Sequence, residues 1–130
     1  MGRLGQRLRP RDRLHSGAQF QRVFRRGTRF DGRLFGLVAA VNDCGFDRVG
    51  LAVGRKLGPA VARNRARRLL REAFRRHRRQ AAPGYDLVLL AKREVLNSSQ
   101  QEVDREYQER LRRLGKRAAA APRPPAPAHD

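Results

Sequence analysis

Arg63, Arg67, Arg71, Arg75 and Arg79 recur every four residues along "ARNRARRLLREAFRRHRR", Ala62 to Arg79, with Arg65, Arg68, Arg76 and Arg78 between them and Glu72 the lone acid. Guanidinium groups hold phosphates as two-pronged donors and stack on bases, so a dense row of them is chemistry for a polyanion. On a helix, like charges four apart disfavour the element by about 0.2–0.5 kcal/mol per pair, roughly 1–2 kcal/mol along this row. A face built for solubility alone would mix the signs. At 100° per residue, Ala62, Ala66, Leu69, Leu70, Ala73 and Phe74 gather on the other side in an arc of about 140°, wide enough to pack on a sheet. An interfacial membrane helix would need bulkier apolar residues there than these alanines, so no membrane partner is expected.

No second constellation offers bond-breaking chemistry. The acids Asp12, Asp31, Asp43, Asp47, Glu72, Asp86 and Glu94 are scattered. Glu102, Glu106 and Glu109 are interleaved with Arg105, Arg110 and Arg112, the pattern of a solvated helix face. His15, His77 and His129 have no evident acid partner, and no GxxxxGK[ST], GxGxxG or HExxH occurs. No catalytic residue, metal site or cofactor is therefore expected of the polypeptide. The one cysteine, Cys44, permits no internal disulfide and fits a reducing compartment.

The whole chain agrees with the helix. Its 130 residues hold 31 Lys plus Arg against 12 Asp plus Glu, a net charge of +19. That charge speaks of partners rather than fold, and the length allows one small domain. There is no apolar run long enough to span a bilayer and no secretory signal, so a cytoplasmic location is expected.

Around the arginine helix the elements are readable. Residues 1–13 are basic and aperiodic and predict a flexible arm. Ser16 and Gln19 form a capping-box pattern ahead of Phe20, Val23 and Phe24, and Gly27 predicts the end of that helix. Leu34 to Val41 and Arg48 to Val53 predict two strands, with "NDCG" as the turn of a hairpin between them. Gly58 and Pro59 predict the start of the arginine helix and "PGYD" its end, giving a span of 59–80 packed on the sheet. "DLVLLA", Asp86 to Ala91, predicts a buried strand. Ser98 or Ser99 predicts the start of a last helix carrying Val103, Tyr107, Leu111 and Leu114, ending at Gly115. Residues 118–130, rich in Ala and Pro, predict a disordered tail, leaving 14–117 as the domain.

"GRKLGPAVARNRARRLLREAF", Gly54 to Phe74, resembles the protein subunit of bacterial ribonuclease P. Arg63-Asn64-Arg65, the pair Arg67-Arg68 and Arg71-Glu72 match that family's RNR signature in order and spacing. "RLHSGAQFQRVFRRGTRF", "RVGLAVGRK" and "YDLVLLAKR" extend the likeness over about 100 residues. The resemblance implies an α+β domain of αβββαβα order with a left-handed crossover, which requires a further short strand, placed at Thr28 to Asp31. It implies an accessory subunit of a ribonucleoprotein endonuclease, one protein with one catalytic RNA, that removes the 5′ leader of precursor tRNA, with Mg²⁺ of the RNA-containing holoenzyme performing the hydrolysis. Carried onto this sequence, Arg55, Lys56, Arg63, Asn64, Arg65, Arg67, Arg68, Arg71 and Arg75 would contact the catalytic RNA. Phe20, Phe24, Phe35, Lys92 and Arg93 would line a cleft for the leader. Arg67 stands where the family usually has lysine, and Val38 where some members have tyrosine. Charge and size alone also suit a ribosomal or RNA-chaperone protein without a catalytic partner.

Overall fold

Ser16 opens the first helix, α1 (Gly17–Arg26), through a reciprocal cap. The Gln19 backbone N–H donates to Ser16 Oγ and the Ser16 N–H donates back to Gln19 Oε1, both at 3.2 Å. The computed structural model describes residues 8–79 and 83–120, with side chains through Arg117. Strands β1 (Thr28–Asp31), β2 (Phe35–Val41) and β3 (Arg48–Ala52) follow, then α2 (Ala60–Arg76), β4 (Tyr85–Ala91) and α3 (Gln100–Ala120), so the order is αβββαβα. Gly27 ends α1 without the left-handed backbone of a terminal glycine. It is needed for close approach instead, because a Cβ there would lie 2.5 Å from the Val23 carbonyl oxygen and 2.7 Å from Val38 Cγ1.

The expected hairpin between the strands at 34–41 and 48–53 does not form. The sheet runs β1-β2-β4-β3, with β4 inserted antiparallel to β2 and parallel to β3. Leu87, Val88 and Leu89 are fully buried in succession, and a strand apolar on both faces gains most by taking a neighbour on each side. The "NDCG" turn is a turn all the same. Asn42 Oδ1 accepts from the Cys44 N–H, Gly45 takes φ 81°, and Asn42 Nδ2 donates to Phe46 O and Asp86 Oδ1. The hairpin that does form joins β1 to β2, pairing Asp31 with Gly36 and Thr28 with Ala39.

Two apolar layers hold the sheet. Phe35, Leu37, Ala39, Leu87 and Leu89 face α2 and α3, meeting Leu70, Phe74, Val103 and Tyr107. Val38, Ala40 and Val88 face Leu14 and Val23, with Phe20 packed alongside. Each fully buried Leu, Val or Phe contributes about 1.5–3 kcal/mol relative to exposure.

Three expected boundaries shift. The arginine helix is 60–76 rather than 59–80: Pro59 sits at the cap, His77 ends the helix, and Gln80 lies outside the described residues. Arg78 and Arg79 leave the helix to bind Asp12 and Asp47. α3 is capped by Ser99, whose Oγ accepts from the Glu102 N–H, and it continues through Gly115 into residues expected to start the tail. No side chain crowds Gly115, and the Lys, Arg and Ala that follow favour helix. Residues 121–130 lie outside the description. The arm expected over 1–13 is docked from Leu8 onward, with Leu8 and Asp12 buried, whereas residues 1–7 are not described.

Gly58 holds φ 144°, a backbone that only glycine adopts at little cost, and it turns the chain from Arg55–Leu57 into α2. Gly58→Ala is expected to lower stability by about 1–3 kcal/mol, read as a shift in urea midpoint at constant slope.

Candidate nucleic-acid interface

The amphipathic α2 separates its residues as the 3.6 period requires. Ala66, Leu69, Leu70, Ala73 and Phe74 are buried against β3, β4 and α3, which turns the arginines outward. Asn64, Arg65 and Arg68 are exposed, and Arg63, Arg67 and Arg71 are half-buried. Arg67 Nη1 donates to Asn64 Oδ1 at 3.1 Å, reaching back into the Arg-Asn-Arg stretch. Arg65 reaches across to donate to the Leu96 and Ser98 carbonyls at 3.2 and 3.0 Å, which ties α2 to the segment after β4.

The row at spacing four is not uniform. Arg75 is held by Glu72 at 2.6 and 2.8 Å, and its guanidinium keeps that carboxyl below the usual range. Arg79, beyond the helix, grips Asp47 at 2.8 and 2.9 Å and stacks 4.8 Å over the Tyr85 ring. Arg63, Arg67 and Arg71 remain as the row with no hydrogen bond or ion pair to a carboxylate among the described residues, although Arg71 adds to the positive field on Glu72.

Parallel pairing of β3 and β4 brings their carboxyl ends to one edge of the sheet, which gathers Arg55 and Lys56 beside Lys92 and Arg93. Arg93 Nη2 donates to the Lys56 carbonyl at 3.2 Å. Lys92 Nζ donates to Gly32 O at 2.7 Å and so also anchors the β1–β2 turn. Glu106 on α3 holds the same turn, accepting from the N–H groups of Arg33, Leu34 and Phe35. Arg55, Lys56 and Arg93 are exposed.

The aromatic set divides. The Phe20 ring packs against β3, so that a Cβ on Gly50 would meet its Cζ at 2.5 Å, and Phe24 is 46% exposed on α1. Phe35 is elsewhere. It is completely buried on the opposite sheet face, 6.4 Å from the Tyr107 ring, because β2 residues alternate faces and 35 shares its side with 37 and 39. It belongs to the core, whereas Val38 and Ala40 on the other face of β2 are buried together with Val23 of α1. Arg13 was not singled out by spacing, yet it lines a cavity with Arg67 and Arg71. Only the pairing of its segment with β3 reveals it. Among the described residues no group of three or more His, Cys, Asp or Glu side chains is placed to hold a metal ion, and no helix is long and apolar enough to cross a membrane.

A family profile described as Ribonuclease P matches residues 8–115, most of the chain. The chain belongs to the bacterial ribonuclease P protein family. It is therefore the accessory protein subunit of a ribonucleoprotein endoribonuclease of tRNA processing, and its partner is the ribonuclease P RNA. The Ribonuclease P protein component of Pelotomaculum thermopropionicum is 39% identical over 102 residues, covering 78% of this chain and 91% of that one. The component from Natranaerobius thermophilus is 43% identical over 79 residues, covering 61% and 69%. In three dimensions the Staphylococcus aureus RNase P protein superimposes with TM-score 0.68 at 26% identity, covering 81% of this chain and 95% of that chain. The Thermotoga maritima protein gives 0.65 at 26% identity, covering 83% and 96%.

Proposed function

We propose that the outward face of α2 binds the ribonuclease P RNA, and that α1 with the sheet receives the single-stranded 5′ leader of precursor tRNA, so that one protein and one RNA together remove the leader. Arg63, Arg65, Arg67, Arg68 and Arg71, joined by Arg55 and Lys56, neutralise phosphates of the catalytic RNA, and Asn64 contacts it through its amide. Phe20 and Phe24 supply stacking surfaces in the cleft, and Lys92 and Arg93 lie at its charged end. Phe35 has no part in it. Arg75, committed to Glu72, contributes to the field more than to direct contact. The chain binds, orients and screens charge, while Mg²⁺ in the RNA-containing holoenzyme supplies the hydrolytic chemistry. The setting is the cytoplasm.

The observation that carries the reading is the gathering of the signature arginines on one outward face of a buried-backed helix within a member of this family. Reconstitution at low Mg²⁺ tests it: adding the protein to the ribonuclease P RNA should raise cleavage of precursor tRNA. An unchanged rate would end the proposal. The cleft has its own test. Phe24 is half exposed, so Phe24→Ala should leave the melting temperature nearly unchanged yet lower the preference for precursor over mature tRNA by about 5–30-fold, the loss of one stacking surface. Equal loss of affinity for both tRNAs would place Phe24 outside the leader path.

A further inference from the structure

Glu106 of α3 reaches the turn between β1 and β2 and accepts from three consecutive backbone N–H groups, Arg33 at 3.2 Å, Leu34 at 2.9 Å and Phe35 at 3.2 Å. An ionised acceptor makes such bonds about twice as strong as a neutral one. Two further side chains hold the same turn. Arg110, 6% exposed and one helical turn beyond Glu106, donates to Asp31 O, and Lys92 Nζ donates to Gly32 O at 2.7 Å. The Lys92 N–H also donates to Leu34 O at 3.1 Å. Every residue from Asp31 to Phe35 is thus tied to α3 or to the end of β4.

Surface turns are ordinarily the loosest parts of a fold, yet this one is fixed by side chains from distant points of the chain. What it presents is Arg33. The Arg33 side chain is exposed and has no hydrogen-bond or ion-pair partner among the described residues. Its neighbours along this edge of the sheet are cations too: Lys92 and Arg93 follow β4, Arg55 and Lys56 follow β3, and Arg93 Nη2 bonds the Lys56 carbonyl. Asp31 is paired with Arg29 at 2.9 Å, which leaves exposed Glu94 against these five. A cation on a fixed backbone loses less freedom on binding than one on a loose loop, so this turn is built for contact more than for solubility.

We propose that Arg33 contacts the phosphate backbone of the precursor tRNA leader where it leaves the cleft between α1 and the sheet, and that Glu106 is the positioning residue that holds Arg33 there. The contact rests on the leader reading above and deepens it, because it extends the charged end of the cleft from Lys92 and Arg93 onto the β1–β2 turn. Neither residue belongs to the arginine signature. Only the fold brings 33 and 106 together.

The test is the affinity of the reconstituted holoenzyme for precursor and for mature tRNA, measured between 50 and 400 mM KCl. Loss of one phosphate contact on a single strand lowers the steepness of log K against log salt by about 0.7. Arg33→Ala should show that reduction for precursor tRNA, a deficit about fourfold larger at 50 than at 400 mM, while mature tRNA binds as before. Arg33→Lys should restore the slope. Glu106→Ala should reproduce the deficit and add nothing when combined with Arg33→Ala, whereas additive deficits would overturn its positioning role. A turn that only braces the fold would make Glu106→Ala weaken both tRNAs alike and leave Arg33→Ala unaffected, which overturns the proposal. An Arg33→Ala deficit equal for both tRNAs overturns it as well. If Phe24→Ala lowers the precursor preference and Arg33→Ala does not, the cleft stands without this contact; if the wild-type holoenzyme shows no preference, both fall. Should Glu106→Ala not fold, the two Arg33 variants decide.

Discussion

Asp86→Ala is expected to cost about 3–5 kcal/mol, because it leaves buried partners without their counter-charge. Asp86 is 2% exposed and accepts from Arg48 Nε at 2.8 Å, Arg48 Nη2 at 2.7 Å and Asn42 Nδ2 at 2.8 Å. Arg48 and Asp86 stand opposite each other in the parallel register of β3 and β4, so the pair fixes the junction that delivers α2 to its place. For a domain of this size about 4 °C of melting temperature corresponds to 1 kcal/mol, so the midpoint should fall by about 12–20 °C. Thermal unfolding followed by circular dichroism measures it. A fall of less than about 4 °C would mean that water replaces the carboxylate at this position.

Binding to the ribonuclease P RNA should weaken by about 10²-fold when salt rises from 50 to 200 mM, if about five phosphates are neutralised at a slope of −0.7 to −0.9 each. The number follows from which arginines are uncommitted. Arg75 is paired with Glu72 and Arg79 with Asp47, whereas Arg68 is exposed without a hydrogen-bond or ion-pair partner among the described residues. Arg68→Ala should therefore reduce the steepness by about one contact without loss of stability. Arg65→Ala combines two effects, since its side chain also holds the Leu96 and Ser98 carbonyls. Filter binding across a salt series gives both values, and a flat response would contradict a phosphate-gripping face.

Local rules carried the reading of α1, α2 and α3 because their signals are local. Ser16 with Gln19 forms a cap within four residues, and the apolar arc of α2 repeats within a single helix. The RNR stretch made the family legible, since its residues are contiguous. Strand neighbours were not legible in the same way. The turn at 42–45 argues equally for a hairpin or for two strands parted by a third, and only the demand of β4 for cover on both sides chooses the second.

From the sequence alone came the excess of positive charge, the helix faces and the αβββαβα order implied by the resemblance. Those rest on composition, short periods and contiguous motifs. Tertiary structure decided which sheet face Phe35 occupies, that Arg75 and Arg79 are spent on Glu72 and Asp47, and that Arg13 lines a cavity with Arg67 and Arg71. β2 is buried on both faces, so alternation identifies two sides without saying which helix covers each. The Asp47–Arg79 pair joins residues 32 apart and Asp12–Arg78 residues 66 apart, distances that no local period spans.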